Sequence, residues 1–201
     1  MPPLSESVIE HLLSPYTNEN KHLGPAMAEY LDLLLRWNAR TNLTAIREPE
    51  EIVRRHFGES LFAAANLGQP MPDTLLDLGS GAGFPGLPIA MAHPDLAVTL
   101  AESQNKKSTF LREVVRTLGL RNVEVWAGRA EALPPGRRFH TVALRAVDDM
   151  AAALAAASPL ATNQLLLLTT GEPDLPEGFG TESSLPIPGS ASGIVLLARR
   201  V

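Results

Sequence analysis

The sequence contains no cysteine and only three lysines among its 201 residues. The absence of cysteine excludes disulfide bonds, thiolate metal ligands and a cysteine nucleophile, and it indicates a reducing compartment only weakly. No apolar run reaches the length of a membrane-spanning helix. The N-terminal stretch also lacks the basic start and long apolar core of a secretory signal peptide. We therefore expect a cytoplasmic protein that does not bind membranes.

Positive charge is scarce for a protein that would bind a nucleic acid. The formal net charge is −5, with 45% hydrophobic and 19% charged residues. The field of the whole protein therefore does not attract a polyanion, and any RNA contact has to rest on a local basic patch. The length and composition are those of one large globular domain, or of one domain with an extension.

Two different patterns divide the chain near residue 70. Residues 1–70 place apolar side chains at helical spacing, with helices predicted over 23–39 and 48–67. The breaker cluster GQPMPD (68–73) marks a boundary. After it, short apolar strands alternate with helices, which predicts parallel strands with helices on both faces. We therefore predict an N-terminal helical cap, residues 1–70, and an α/β domain, residues 71–201.

The elements of the α/β domain follow from the same alternation. Strands are predicted at 74–78, 97–102, 122–127, 140–146 and 163–169, and helices at 86–93, 104–120 and 148–160. Two further strands, 181–188 and 193–201, close the chain as a hairpin after a turn-rich connector. This order predicts a Rossmann-like, mostly parallel sheet with an antiparallel C-terminal hairpin.

The segment DLGSGAGFPG (77–86) predicts a nucleotide-like ligand. It contains the dinucleotide pattern G-x-G-x-x-G and also D-x-G-x-G-x-G, the first motif of S-adenosylmethionine (SAM) methyltransferases. The second pattern consists of Asp77, Gly79, Gly81 and Gly83. A carboxylate at the strand tip would repel a pyrophosphate, whereas the ammonium and sulfonium of SAM favour one nearby. Asp77 therefore favours SAM over a nicotinamide dinucleotide.

Polar residues after the next two strands fit the nucleoside part of such a ligand. Glu102 lies within the interval expected for a carboxylate that accepts both ribose hydroxyls, a feature that SAM and NAD sites share. Ser103 follows it. Ala130 and Glu131 stand after the third strand, where methyltransferases close over the adenine. We expect all four residues in the cofactor site.

The fourth strand ends in LRAVDD and restricts the chemistry without naming a catalytic residue. It lacks the [DN]-PP-[YF] motif of adenine-N6 methyltransferases, and cytosine-C5 methylation needs a cysteine. Guanine N7 carries a free lone pair at neutral pH, so positioning and desolvation suffice and no general base is required. Arg145 is the one candidate here: it can bind the SAM carboxylate, a base or a phosphate. The alternative for Arg145 is an ion pair with Asp148 or Asp149.

Together these motifs resemble the RsmG (GidB) family, bacterial methyltransferases that modify guanine N7 in small-subunit ribosomal RNA. The resemblance covers roughly residues 20–160. It is carried by LLLRWNARTNLTAIREPEEIVRRHFGESL (33–61), LLDLGSGAGFPGLPIA (75–90), ESQNKKSTFLREVVRTLGLRNVEV (102–125), GRAEAL (128–133) and LRAV (144–147). The FPG after the glycine loop and the WNxxxNLTAIR of the cap are not general methyltransferase features.

The resemblance implies a class I SAM-dependent methyltransferase fold, SAM as cofactor, and 16S ribosomal RNA or the small ribosomal subunit as partner. It implies no metal, and we expect a monomer. The family's SAM contacts carry over to Gly79, Phe84, Ala130, Glu131 and Arg145. We assign Arg47, Arg54 and Arg145 to substrate binding.

The roles of the matching cap positions Asn38, Asn42, Thr44 and His56 are less defined. Asn42 and Thr44 suit turns. For His56 a hydrogen-bonded core position is the favoured interpretation over a substrate contact.

The C-terminal part departs from the family. Thr170 stands before Gly171 where the family usually carries a lysine, and the last hairpin turn, GSASG (189–193), lacks charges. These departures leave two alternatives open: a SAM methyltransferase of a small molecule, or a SAM-binding protein without catalysis.

Overall fold

In a computed structural model, which describes residues 4–17 and 23–201, seven strands form one sheet in the order β3-β2-β1-β4-β5-β7-β6. Residues 1–3 and 18–22 of the predicted cap lie outside the described residues. The strands are β1 (Thr74–Leu78), β2 (Ala97–Ala101), β3 (Val123–Trp126), β4 (Phe139–Arg145), β5 (Ala161–Thr169), β6 (Phe179–Pro186) and β7 (Ile194–Arg200). Each lies within two residues of its predicted bounds.

The helices of the described residues are α1 (Glu6–Leu13), α2 (Gly24–Asn38), α3 (Pro49–Ile52), α4 (Glu59–Ala65), α5 (Gly86–Ala92), α6 (Asn105–Thr117) and α7 (Met150–Ala157). A π-helical turn, Val53–Gly58, joins α3 to α4, and a 3₁₀ turn, Ala130–Ala132, follows β3. None of these helices is both long and apolar enough to cross a membrane.

The sheet confirms the predicted mixture of strand directions. Strands β1 to β5 pair in parallel, and β7 pairs antiparallel with both β5 and β6. The chain runs outwards from β1 to β3 and then returns to place β4 on the other side of β1. In doubly wound sheets, ligands bind at the carboxyl ends of the strands where the order reverses in this way. The functional site is therefore expected at the tips of β1 and β4.

Apolar side chains fill both faces of the sheet. On β5, Leu166 and Leu168 belong to one buried cluster, while Leu165 and Leu167 belong to the other. Successive side chains of a strand point to opposite faces, so an unbroken leucine run is what a strand covered on both faces requires.

The helical cap shares a core with the α/β domain. The first cluster contains the cap residues Tyr30 and Phe57 together with Phe84 and Phe110 of the α/β domain, all of them buried. Each large apolar side chain withdrawn from water contributes about 1.5–3 kcal/mol. The boundary between residues 70 and 71 remains a prediction, and the apolar packing crosses it.

The helix predicted over 48–67 is present, but with a π-helical turn in its middle. The turn spans Val53–Gly58 and contains Arg55 and His56. Arg145 at the end of β4 donates a 2.7 Å hydrogen bond to the Arg55 carbonyl oxygen within this turn. Residue spacing cannot reveal such a turn, because the apolar pattern of the helix continues through it. Single π-helical turns are frequent at functional sites.

Candidate functional site

Three cavities lie in a row along the carboxyl ends of the strands. The Glu102 cavity, about 190 Å³, is lined by residues of β1, β2 and the turn after β3. The loop cavity, about 290 Å³, is lined by the glycine loop and the cap. The Thr170 cavity, about 230 Å³, lies between the ends of β4 and β5 and the last hairpin turn. Gly79 lines the first two cavities, and Arg145 and Ala146 line the last two.

The Glu102 cavity brings together several of the residues predicted to bind the nucleoside. Gly79, Glu102, Ser103, Ala130 and Glu131 all line it. The two carboxylate oxygens of Glu102 accept hydrogen bonds from the backbone N–H groups of Gly81, at 2.9 Å, and Gln104, at 2.7 Å. A carboxylate has about four acceptor positions, so this one can fix the loop and still accept hydroxyl donors from the cavity.

The predicted loop glycines have different tasks. Gly79 has a φ of +78°, and no atom lies within 4 Å of the position its Cβ would take, so its backbone is open to a ligand. Gly81 lines the loop cavity. At Gly83, with φ +95°, a Cβ would stand 2.6 Å from the Tyr30 oxygen. Gly83 therefore allows the loop to pack against the cap, where the Tyr30 hydroxyl donates a hydrogen bond to the Ala82 carbonyl.

Asp77 lies beneath the loop, which differs from the expectation that its charge faces the ligand. It is 1% exposed, and its Oδ2 accepts a 3.0 Å hydrogen bond from the Gly86 N–H at the start of α5. Burial raises its pKa to about 7. The carboxyl group therefore occupies the helix N-terminus at which a dinucleotide site holds its pyrophosphate. It disfavours a dinucleotide by capping that helix rather than by repulsion across a cavity.

Arg145 is held from three sides. Its Nη2 donates to Glu59 Oε2 at 2.7 Å and to the Arg55 carbonyl, and its Nη1 donates to His56 Nδ1 at 2.9 Å. The Arg145 and Glu59 side chains are 11% and 10% exposed. The predicted alternative of an ion pair with Asp148 or Asp149 is wrong, because the cap supplies the partner. Asp149 instead accepts the Ala152 N–H and caps α7.

The cap contributes a second group of residues to the loop cavity. Thr44, His56 and Phe84 line it together with Lys107. The rings of His56 and Phe84 stack at 4.9 Å with an interplanar angle of 22°. Burial, reinforced by the neighbouring Arg145, lowers the His56 pKa to about 3. The imidazole is therefore neutral at physiological pH, in agreement with the favoured core interpretation, although it also reaches the cavity.

The predicted substrate residues Arg47 and Arg54 lie outside the lining of the three cavities. Arg47 donates to the Asn38 carbonyl and to Asn42 Oδ1, both at 2.8 Å, so it fastens the segment after α2. Arg54 forms a 3.2 Å ion pair with Glu50 one helical turn earlier. Their assignment to substrate binding stays a prediction.

Sequence reasoning missed three residues of the site: Tyr30, Glu59 and Lys107. Tyr30 and Glu59 stand in ordinary helical patterns, and their partners lie 52 and 86 residues away. No spacing signal could have revealed these contacts. Lys107 is one of two adjacent lysines after Glu102, and only the direction of α6 shows which of them lines the loop cavity.

Comparison with known proteins agrees with this arrangement. The family described as rRNA small subunit methyltransferase G matches residues 24–184. Several similar proteins bear the name ribosomal RNA small subunit methyltransferase G, and two of them illustrate the match. The one from Stenotrophomonas maltophilia (strain K279a) is 48% identical over 129 residues, which is 64% of this chain and 59% of the relative. The one from Nitrosomonas eutropha is 34% identical over 176 residues, which is 83% of this chain and 81% of the relative.

The match to the Stenotrophomonas protein thus spans less than two thirds of that protein's length. Among solved structures, a mutant of MtNAS in complex with S-adenosylmethionine superposes with a TM-score of 0.62 at 16% identity, covering 98% of this chain and 84% of that one. A putative O-methyltransferase from Klebsiella pneumoniae superposes with a TM-score of 0.62 at 15% identity, covering 95% of this chain and 99% of that one. At these identities the likeness shows the fold alone, which is the Rossmann-like fold of SAM methyltransferases. By the extent of its family match, the chain belongs to the rRNA small subunit methyltransferase G family.

Proposed function

We propose that this protein transfers a methyl group from SAM to N7 of a guanine in 16S ribosomal RNA. The observation that carries the proposal is the pair of cavities joined at Gly79 in a chain of this family. One cavity contains the Glu102 carboxylate, and the other contains the cations Lys107 and Arg145. An elongated ligand with a ribose at one end and a carboxylate at the other matches this distribution of charge.

The residues present fit SAM better than a dinucleotide. Glu102, Ala130 and Glu131 line one cavity, and in the proposed binding mode Glu102 accepts the ribose hydroxyls while Ala130 and Glu131 border the adenine. A pyrophosphate needs free backbone N–H groups at the glycine loop. Here the Gly81 N–H is bound to Glu102 and the Gly86 N–H is bound to Asp77. The loop therefore has few donors left for a phosphate.

The chemistry proposed needs no general base. SAM supplies an electrophilic methyl group, and guanine N7 offers a lone pair without losing a proton. In the loop and Thr170 cavities of the described chain, the carboxylate and imidazole groups are Glu59 and His56. Glu59 is ion-paired with Arg145, and His56 accepts a hydrogen bond at Nδ1. Both groups are already engaged by partners, an arrangement that suits N7 better than a hydroxyl nucleophile.

The Thr170 cavity is the proposed place for the target base. It adjoins the loop cavity at Arg145 and Ala146, and it combines the apolar Met150 with the hydroxyls of Thr169 and Ser190. The protein's residues then act by orienting the base and excluding water, the two contributions that an N7 nucleophile requires.

The proposed partner is 16S ribosomal RNA or the small ribosomal subunit, met by a cytoplasmic monomer. Arg47, Arg54 and Arg145 remain its proposed contacts. Among the arginines of the cap and loops, several form no ion pair within residues 4–17 and 23–201. They include Arg40, Arg129 and Arg138, all exposed.

Methyl transfer from labelled SAM to small ribosomal subunits, to free 16S RNA and to a metabolite pool tests this function. We expect label in the RNA at one site that reduction and aniline cleave, as N7-methylguanine requires. The rate at saturation should not rise steeply with pH across the neutral range. Glu102→Ala should weaken SAM binding about 10- to 100-fold in calorimetry, because it removes charge-assisted hydrogen bonds. Label confined to small molecules would reject the RNA substrate.

One observation favours a small-molecule methyltransferase as second candidate. The hairpin turn that borders the Thr170 cavity contributes Ser190, Ser192 and Gly193, none of which carries a charge. The hairpin turn therefore supplies no electrostatic attraction to phosphates, which is left to Arg55 and Arg145 among the lining residues. The metabolite arm of the same experiment distinguishes the two candidates.

A further inference from the structure

A chain of hydrogen bonds links Arg145 through His56 to Thr44, and its direction follows from the donors. Arg145 Nη1 lies 2.9 Å from His56 Nδ1, and a guanidinium can only donate. Nδ1 is therefore the unprotonated nitrogen of a neutral imidazole, and Nε2 carries the proton. His56 Nε2 lies 2.7 Å from Thr44 Oγ1, so the imidazole donates to the threonine. Arg145 thereby fixes the tautomer that His56 presents to Thr44.

The Thr44 hydroxyl is left with a proton to donate. Its oxygen accepts the hydrogen bond from His56 Nε2 and a second one, at 3.2 Å, from the Ile46 N–H. A hydroxyl has two acceptor positions and one donor, so both acceptor positions are filled. Thr44 lines the loop cavity. The remaining O–H donor is therefore available to an acceptor inside that cavity.

The position of Thr44 is fixed by the end of α2. Asn38, which is 4% exposed, accepts the N–H groups of Leu43 at 2.9 Å and Thr44 at 3.1 Å. Its Nδ2 donates to the Thr44 carbonyl at 3.0 Å. Arg47 in turn binds the Asn38 carbonyl at 2.8 Å. Asn38 holds the backbone of Thr44, and Arg47 holds Asn38. Such layered support is typical of a binding residue whose side chain must point in a fixed direction.

The other polar groups of the loop cavity indicate an anionic acceptor. Lys107 lines the cavity and forms no ion pair within the part of the chain that the structure describes. Arg145 has donated three N–H groups to the cap, which leaves two of its five. A hydroxyl donor, an ammonium and the rest of a guanidinium therefore face one space of about 290 Å³. A carboxylate is the group that accepts from all three.

We propose that Thr44 is a cofactor-binding residue whose hydroxyl donates to the carboxylate at the amino-acid end of SAM, with His56 as the positioning residue that orients it. This inference rests on the proposed use of SAM and adds the cap to its site. It gives the WNxxxNLTAIR segment a part in cofactor binding. The nucleoside end of the ligand, on the other side of Gly79, does not depend on Thr44.

The test compares two ligands that differ only at the amino-acid end. S-adenosylhomocysteine has the carboxylate, and 5′-methylthioadenosine is the same nucleoside without it. For Thr44→Val, calorimetry should show S-adenosylhomocysteine binding weakened about 10- to 100-fold, the loss of a hydrogen bond to a charged group. Binding of 5′-methylthioadenosine should be unchanged, which also shows that the variant is folded. Thr44→Ser keeps the hydroxyl and should restore the wild-type ratio of the two affinities.

Two controls separate this result from a general effect. Thr109→Val removes an exposed hydroxyl that donates to the Asn105 carbonyl of its own helix, and it should alter neither affinity. His56→Ala should also lower the ratio of the S-adenosylhomocysteine affinity to the 5′-methylthioadenosine affinity, because the Thr44 hydroxyl is then free to rotate. Equal losses for both ligands in Thr44→Val, or no loss for either, would overturn the inference. Failure of the wild type to bind S-adenosylhomocysteine would instead reject the proposed function.

Discussion

Removal of the Glu59 carboxylate should destabilise the protein strongly, because Glu59 is the buried partner of Arg145. The two groups are 2.7 Å apart, with side chains 10% and 11% exposed. Removing one member of a buried ion pair leaves the other charge uncompensated and costs about 3–5 kcal/mol. In proteins of this size, each kcal/mol lowers the melting temperature by about 2–4 °C. Glu59→Ala should therefore melt roughly 6–20 °C below the wild type.

Glu50 in α3, on the other side of the π-helical turn from Glu59, provides a matched control. Glu50 pairs with Arg54 at 3.2 Å, but these side chains are 55% and 43% exposed. An exposed pair at this spacing contributes about 0.3–0.5 kcal/mol. Glu50→Ala should therefore lower the melting temperature by less than about 2 °C. Scanning calorimetry of both variants measures the difference directly.

The stability lost in Glu59→Ala should be recovered when both charges of the pair are removed together. Glu59→Leu combined with Arg145→Met replaces the pair by apolar side chains of similar volume, a change that is often neutral in protein interiors. The double variant should melt well above Glu59→Ala, although SAM binding is lost with Arg145. If Glu59→Ala and Glu50→Ala melt at the same temperature, the Arg145–Glu59 pair does not have the buried character assigned to it.

Three further predictions concern the loop, the pH dependence and the RNA. Tyr30→Phe should cost about 1–3 kcal/mol in denaturant unfolding and weaken SAM binding, because the buried Ala82 carbonyl loses its donor; unchanged unfolding would contradict this. The His56 pKa lies near 3 when folded and 6.5 unfolded, so acid stabilises the unfolded chain, which takes up the proton. The wild type should therefore lose more stability than His56→Gln between pH 6.5 and pH 3 in thermal melts; parallel curves would contradict this. Thr170→Lys should steepen the salt dependence of RNA binding by about one unit with SAM affinity unchanged, and an equal slope would favour the small-molecule candidate.

The alternation of short apolar strands and helices was sufficient to predict the sheet. Strand β1 has its predicted bounds, Thr74–Leu78, and the hairpin of β6 and β7 closes the sheet as expected. The reason is that a buried parallel strand needs apolar side chains on both faces, so it appears in the sequence as a short uninterrupted apolar run. Gly79 and Glu102 line one cavity for a similar reason, since both directly follow strand ends, and their role in cofactor binding stays a prediction.

Long-range partners could not be predicted in the same way. The sequence shows that Arg145 is charged and stands at a strand end, but local spacing favoured Asp148 and Asp149 as partners. The actual partner, Glu59, lies 86 residues earlier on a helix of the cap. Its choice depends on how the cap packs on the sheet and on the π-helical turn at Val53–Gly58, neither of which has a periodic signal.

In the proposed binding mode, the cap contributes to the cofactor site as well as to an RNA surface. Tyr30 holds the glycine loop, Glu59 holds Arg145, and Asn38 sets the position of Thr44 beside the loop cavity. We therefore propose that the segment that resembles the family most specifically serves cofactor geometry. The uncharged residues Thr170 and Ser190 border the cavity on the other side of Arg145. On the proposed function, a change on that side should alter what is methylated without disturbing the groups that hold SAM. On this proposal, binding of cofactor and choice of substrate can diverge separately in this fold, with Arg145 as the charged residue that lines both cavities.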